Sequence, residues 1–146
     1  MKEIRTTTDI AAPVERVWQL LADFEGWGDW NPVIPRVRGR LEAGAPVDIQ
    51  LAMAGRRVPI KARIVCADPD RELRWRGPRS SVQARLFSGE HYFSLEMIDE
   101  AHTRFVHGER FRGLLVPVLW WRLERMLHQR YAQMNEAVKR RSESAG

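Results

Sequence analysis

The sequence contains a single cysteine, Cys66, and only three lysines among its 24 basic residues. One cysteine excludes an intramolecular disulfide framework and a cysteine-based zinc site. The longest apolar run, residues 113–121, is far shorter than the ~20 residues that a transmembrane helix needs. The N-terminal segment MKEIRTTTDI lacks the apolar core of a secretory signal, so we expect a cytoplasmic protein.

The chain has 146 residues, of which 44% are hydrophobic, and this suits one domain with a full core. We expect residues 1–141 to form that domain and residues 142–146 to be a flexible tail. The net charge is +5, and 21 of the 24 basic residues are arginine. Arginine suits the recognition of phosphate and carboxylate groups, although a general compositional bias towards arginine would produce the same count.

The spacing of apolar and polar residues divides the chain into segments with different predicted secondary structure. Residues 2–10 alternate between two faces, which predicts a half-buried strand. Apolar spacing predicts a short helix over residues 13–22, and the Gly- and Trp-rich segment 24–32 predicts a turn or a second short helix. From residue 33 to residue 112 the period is two, and turn signals separate about six antiparallel strands.

A long helix is predicted over residues 116–140, because its apolar residues step by three and four. An antiparallel sheet with one apolar face needs a cover, and this helix is the largest element available. The expected fold is therefore α+β, with a curved seven-stranded antiparallel sheet wrapped around the C-terminal helix and two short helices between strands 1 and 2. Such an arrangement leaves an apolar cavity between sheet and helix, where a ligand can bind.

Several short motifs follow one another along the chain: IAAP at 10–13, VW at 17–18, LAD at 21–23, WGDWNP at 27–32, LRW at 73–75, GEH at 89–91, TRF at 103–105 and ERFRG at 109–113. In this order and spacing they resemble the START-like (helix-grip, SRPBCC) superfamily and within it the bacterial polyketide cyclase/dehydrase-like group. The resemblance covers about residues 2–140. Members of the superfamily bind lipids, sterols, polyketides, plant hormones or quinones, and some catalyse cyclisation or dehydration. The superfamily has no universal catalytic motif that could be carried over to this chain.

Strand parity directs His91, His107 and Glu109 towards the cavity. A hairpin turn near residue 100 would place His91 opposite Glu109 and Phe93 opposite His107, within reach of one another. These groups could form a buried, mutually satisfied pair, hold the polar end of a ligand, or act as general acid and base. A metal site has no further support from the spacing, and no metal or cofactor is expected.

Aromatic and aliphatic side chains on the same inward positions are predicted to form the walls of the cavity. Tyr131 adds a hydroxyl that needs a partner when it is buried. With the three polar candidates above, the predicted ligand-binding residues include Trp75, Phe87, Phe93, Phe105, Leu123, Leu127 and Tyr131.

Most strand arginines fall on the outward face, dispersed among acidic residues, which argues against a nucleic-acid groove. Three functions follow from the sequence. The first is a carrier or sensor that binds a hydrophobic small molecule, such as a lipid, polyketide, quinone or other aromatic or isoprenoid compound. The second is a cyclase/dehydratase-type enzyme that uses His91, His107 or Glu109. The third is a protein that docks on a membrane or a partner through arginines and Trp121. Under each of these functions the protein is expected to be a monomer or a homodimer.

Overall fold

The computed structural model describes residues 1–144. Seven strands form one antiparallel sheet in the order β1-β7-β6-β5-β4-β3-β2, which confirms the predicted seven-stranded sheet. The strands are β1 (Lys2–Ile10), β2 (Arg36–Gly39), β3 (Pro46–Met53), β4 (Arg56–Asp68), β5 (Glu72–Gly77), β6 (Ser88–Asp99) and β7 (His102–Arg112).

The helices are α1 (Val14–Ala22), α2 (Trp27–Trp30), α3 (Ser81–Leu86) and α4 (Val116–Ser144), with a 3-10 turn at Phe24–Gly26. The two short helices between β1 and β2 are confirmed. Helix α1 begins after Pro13, whose carbonyl accepts hydrogen bonds from the backbone N–H groups of Arg16 and Val17.

The core lies between the inner face of the sheet and the helices. Helix α1 buries Val17, Trp18 and Leu21 against it, as the helical spacing predicts. Helix α4 contributes Met134 and Val138 from its C-terminal half. None of the described helices combines the length and the apolar character that a membrane crossing requires.

Strand β2 is shorter than the alternating pattern from residue 33 predicts. The side-chain Oδ1 of Asn31 accepts hydrogen bonds from the backbone N–H groups of Val33 and Ile34, at 3.0 and 2.8 Å. This Asx-type turn occupies the N–H groups that a strand would use. The strand therefore starts only at Arg36, while Val33 and Ile34 remain buried.

Helix α3 is absent from the sequence-based prediction. It is short, and its apolar residues do not repeat over enough turns to produce a periodic signal. Its N-terminus is capped by Ser80, whose Oγ accepts a hydrogen bond from the Gln83 backbone N–H at 3.4 Å.

The predicted tail at residues 142–146 is wrong for residues 142–144, because α4 continues to Ser144. Ser142 is fully buried, and the carboxylate of Glu143 accepts hydrogen bonds from the Ala11 backbone N–H and from Lys139, both at 2.8 Å. These contacts hold the last helical turn against the end of β1. Residues 145 and 146, the rest of that prediction, lie outside the described residues.

The arginines on the sheet lie on its outer side, as the parity predicts, and many pair with carboxylates. Arg74 binds Glu72 and Glu90 at 2.8 and 2.9 Å, and Arg76 also binds Glu90 at 2.8 Å. Arg110 binds Glu3 at 3.0 Å. The charges of Arg74, Arg76 and Arg110 are therefore balanced within the fold.

Candidate functional site

A cavity of about 590 Å³ lies between the sheet and α4. Its volume is in the range of pockets that enclose a small organic ligand. Strands β3 to β7, the segment after β5 and one side of α4 contribute its walls. It is lined by Val33, Ile34, Ile49, Leu51, Met53, Pro59, Ile60, Lys61, Trp75, Gly77, Pro78, Arg79, Ser80, Gln83, Phe87, Gly89, His91, His107, Glu109, Leu127, Arg130, Tyr131 and Met134.

Seven of the predicted ligand-binding residues lie on this wall. The pairing of β6 with β7 places His91 opposite Glu109 and Phe93 opposite His107, so the predicted register is confirmed. The seven residues on the wall are Trp75, Phe87, His91, His107, Glu109, Leu127 and Tyr131.

Three predicted residues do not line the cavity. Phe93 and Phe105 are fully buried and stack on each other with their ring centroids 6.1 Å apart, inside the solid part of the core. Leu123 on α4 is half-buried and stands off the wall. Strand parity identifies the inner face, but the position along a strand where packing ends and the cavity begins depends on the approach of α4.

Two groups of residues on the cavity wall were not among the predicted ligand-binding residues. Ile49, Leu51 and Ile60 have inward parity, so the alternating pattern on β3 and β4 could have indicated them. The segment from Gly77 to Ser80 and the following helix position Gln83 carry no periodic signal, and only their place in the fold shows that they line the cavity.

A hydrogen-bond chain with a defined direction reaches the cavity from β1. The Thr6 hydroxyl donates to the backbone carbonyl of His107 at 2.8 Å, and a carbonyl oxygen can only accept. The Thr6 oxygen therefore accepts from the side-chain amide of Asn135, also at 2.8 Å. This orients the Asn135 Oδ1 towards His107 Nδ1 at 2.7 Å, so Nδ1 carries the hydrogen.

The neutral form of His107 follows from its surroundings. Burial, and then the nearby charge of His91, lower the pKa of His107 well below its usual range. With hydrogen on Nδ1, its Nε2 has a free lone pair. Nε2 of His91 lies 2.6 Å away, so His91 must donate its Nε2 hydrogen to His107.

The side chain of His91 also contacts that of Glu109. Nδ1 of His91 lies 3.3 Å from Oε1 of Glu109, and the Tyr131 hydroxyl donates to the same carboxyl oxygen. Burial raises the pKa of Tyr131 well above its usual range, and the charge of Glu109 adds to this, so Tyr131 stays a donor. The His91 ring and the Tyr131 hydroxyl therefore both contact the Glu109 carboxyl group at the cavity wall.

Ring stacking and a glycine keep this group in place. The rings of His91, His107 and Tyr131 all contact one another, with centroid distances of 4.8 Å between the two histidines, 4.4 Å from His107 to Tyr131 and 5.3 Å from His91 to Tyr131. On β6, Gly89 leaves the space that the Glu109 carboxylate occupies, because a Cβ there would overlap Oε2. The carboxylate therefore faces the cavity in a fixed position.

Asn135 was not among the predicted site residues, although a signal for it exists. It stands four residues after Tyr131 on the apolar side of the helix and is buried. A polar amide on a buried helix face requires a hydrogen-bond partner. A polar residue at this position among apolar ones could have identified Asn135 as part of the polar group.

Two of the three cationic side chains on the wall, Arg79 and Arg130, differ in their partners. Arg79 is held by the carbonyls of Val47 and Ala62 at 3.3 and 2.8 Å and by Asp48 at 3.2 Å. Arg130 on α4 is half-buried and has no ion pair within residues 1–144. Arg130 therefore places a free positive charge beside the cavity, in addition to the carboxyl group at its inner wall.

Solved structures with the same fold include enzymes and a protein identified only by its superfamily. The Zhui aromatase/cyclase from Streptomyces sp. R1128 is 21% identical, with a TM-score of 0.74 over 97% of this chain and 93% of that one. A START superfamily protein from Mycobacterium smegmatis is 16% identical, with a TM-score of 0.79 over 99% of both chains. Norcoclaurine synthase from Thalictrum flavum is 10% identical, with a TM-score of 0.71 over 95% and 84%.

Among curated proteins, none matches this chain. The likeness to the solved structures establishes the START-like fold and leaves the activity open. The family described as "Polyketide cyclase / dehydrase and lipid transport" matches residues 1–143, which is nearly the whole sequence. The chain belongs to this polyketide cyclase/dehydrase and lipid-transport family.

Proposed function

We propose that this protein binds a hydrophobic small molecule in the cavity and acts as its carrier or sensor. The observation that carries the proposal is the cavity of about 590 Å³, whose wall is apolar apart from a few placed polar groups. A lipid, polyketide, quinone or other aromatic or isoprenoid compound has the size and the apolar surface that such a wall favours.

The polar groups narrow the class of ligand further. The Glu109 carboxyl and the Tyr131 hydroxyl form one polar point on the wall, suited to a hydroxyl or carbonyl group of the ligand. Arg130 is free to bind an acidic group at a second point. An apolar ring system or chain that carries an oxygen function and an anionic group would satisfy both.

We expect a cavity-filling substitution to weaken the binding of an apolar anionic probe. In Ile60→Trp, a larger side chain occupies the wall on β4, and the affinity for anilinonaphthalene sulfonate should fall at least about tenfold. The probe combines an aromatic body with an anionic group, and its fluorescence titration gives the dissociation constant. Native mass spectrometry of the purified protein would show a retained natural ligand directly.

Val65→Trp is the matched control, because Val65 lies on the same strand but is 39% exposed on the other side of the sheet. This variant should bind the probe as the unmodified protein does. If the unmodified protein binds no probe and retains no ligand, or if Ile60→Trp binds as tightly as Val65→Trp, the proposal is wrong.

Acid–base catalysis of the cyclase/dehydratase type is a second candidate function. The observation that favours it is the position of the Glu109 carboxyl group at the cavity surface, with His91 Nδ1 3.3 Å from its Oε1. In the dehydration of a β-hydroxy ketone, the Glu109 carboxylate would take the proton α to the carbonyl. The same proton would then leave with the β-hydroxyl group as water, which forms the C=C bond and restores the carboxylate.

Glu109→Gln should lower the rate of such a dehydration by about 10²–10⁴-fold, because the amide cannot accept the proton. A simple aryl β-hydroxy ketone serves as the substrate, and mass spectrometry detects the loss of water. His128→Gln removes an exposed histidine of α4 and provides the control. Absence of turnover by the unmodified protein, or equal turnover by Glu109→Gln, would refute an acid–base role for this carboxylate.

A further inference from the structure

Helix α3 and the start of α4 expose an apolar surface that no part of the described chain covers. Six side chains form it, and each is between 42% and 75% exposed. An exposed apolar patch of this kind marks an interaction surface. We call it the apolar rim, and it consists of Val82, Leu86, Leu114, Leu115, Val118 and Trp121.

Backbone hydrogen bonds join the two elements of the apolar rim into one surface. The N–H groups of Leu114 and Leu115 donate to the carbonyls of Arg85 and Leu86, at 3.0 and 2.9 Å. Gly113 permits this approach, since its φ is +129° and a Cβ there would overlap the Leu86 carbonyl. The rim therefore presents its apolar side chains together.

The charge around the apolar rim is positive and unbalanced. Arg85, Arg112, Arg122 and Arg125 are exposed, and none forms an ion pair with a carboxylate within residues 1–144. Glu124 is the only acidic residue in the segments 81–87 and 113–130. Arg74, Arg76, Arg104 and Arg110 on the sheet differ from these, because each is paired with a carboxylate.

The apolar rim continues into the cavity wall. Gln83 and Phe87 line the cavity beside α3, and Leu127 and Arg130 line it from the turns of α4 that follow the rim. A surface that binds the rim would therefore lie next to this part of the cavity wall.

We propose that the apolar rim docks on an anionic lipid surface, with its apolar side chains in the interface and its arginines against lipid phosphates. Peripheral helices bind membranes through this combination of apolar and basic side chains. Trp121, with the guanidinium of Arg122 4.9 Å from its ring centroid, is the residue type that favours the headgroup region. A second copy of this chain suits the rim less well, because a symmetric contact would bring the arginines of both copies together.

Sedimentation of the full chain with vesicles tests the apolar part of the docking. The protein should sediment with vesicles of equimolar phosphatidylcholine and phosphatidylglycerol, and not with phosphatidylcholine alone. The double variant Leu114→Ser/Val118→Ser should bind at least about tenfold more weakly. Its control is Met97→Ser/Ile98→Ser, which removes two exposed apolar residues near the opposite end of β6 and should bind normally.

A second pair of variants tests the charge. Arg122→Glu/Arg125→Glu should abolish sedimentation with the anionic vesicles, whereas Arg38→Glu/Arg40→Glu, with the same change of charge on exposed residues, should keep most of it. No sedimentation of the unmodified protein at low ionic strength, or equal losses in a variant and its control, would overturn the proposal. Titration of each variant with anilinonaphthalene sulfonate separates a failure of docking from a failure of cavity binding.

Discussion

Replacement of Trp27 by alanine is expected to lower the free energy of unfolding by about 3–5 kcal/mol. Trp27 is fully buried, and its indole N–H donates to the carbonyl of Leu21 at 3.0 Å. Its ring lies 5.4–6.0 Å, centroid to centroid, from those of Phe24, Trp30, Trp75 and Phe93. Alanine would leave a large cavity and an unsatisfied buried carbonyl at the place where the short helices meet the sheet.

Urea denaturation followed by circular dichroism measures this loss. Trp121→Ala removes the same side chain from a site that is 71% exposed, and should change the free energy of unfolding by less than about 0.5 kcal/mol. A loss below about 1 kcal/mol in Trp27→Ala would fall short of the range for such truncations and contradict the role of this ring as the centre of the core.

Acidification is expected to destabilise the protein through His107. Burial, and then the charge of His91, hold the pKa of His107 well below its usual range, so the folded chain keeps this ring neutral. In the unfolded chain the ring has a pKa of about 6.5 and takes up a proton below that pH. The stabilisation is therefore complete above that value and is lost as the pH falls, by about 1.4 kcal/mol per pH unit.

Between pH 7.5 and pH 5.0 the loss from this group should reach about 2 kcal/mol. Urea denaturation at several pH values measures it, with His107→Gln and the exposed His128→Gln as a matched pair. The free energy of unfolding should depend less on pH in His107→Gln, and should keep its pH dependence in His128→Gln. The ¹⁵N resonances of the imidazoles should show His107 neutral with hydrogen on Nδ1. Equal slopes in the two variants would contradict the assignment.

Strand parity and register could be predicted from the sequence because both depend on local spacing. Alternation on β6 and β7 and the turn between them are sufficient to place His91 opposite Glu109. The outward arginines follow from the same alternation. The apolar stripe of α4 likewise predicts Tyr131 and Met134 on the buried side.

Other features of the site depend on contacts that local spacing does not specify. Phe93 and Phe105 have the same inward parity as the cavity residues, yet they are packed as core. The continuation of α4 to Ser144 depends on contacts with Ala11 at the distant end of β1. The exposure of the α4 start depends on where the sheet ends, since an apolar stripe has the same spacing whether or not another element covers it.

Local sequence patterns were sufficient to predict the α+β class, the strand faces, the inward direction of His91, His107 and Glu109, and the family resemblance. These properties depend on residues close together in the chain, whose periodicity reflects the geometry of a strand or a helix. The volume of the cavity, the residues that border it and the direction of the hydrogen-bond chain depend on how distant segments pack together. Thr6 and Asn135 lie 129 positions apart, and the protonation of His107 follows from bonds that exist only when β1, β7 and α4 meet.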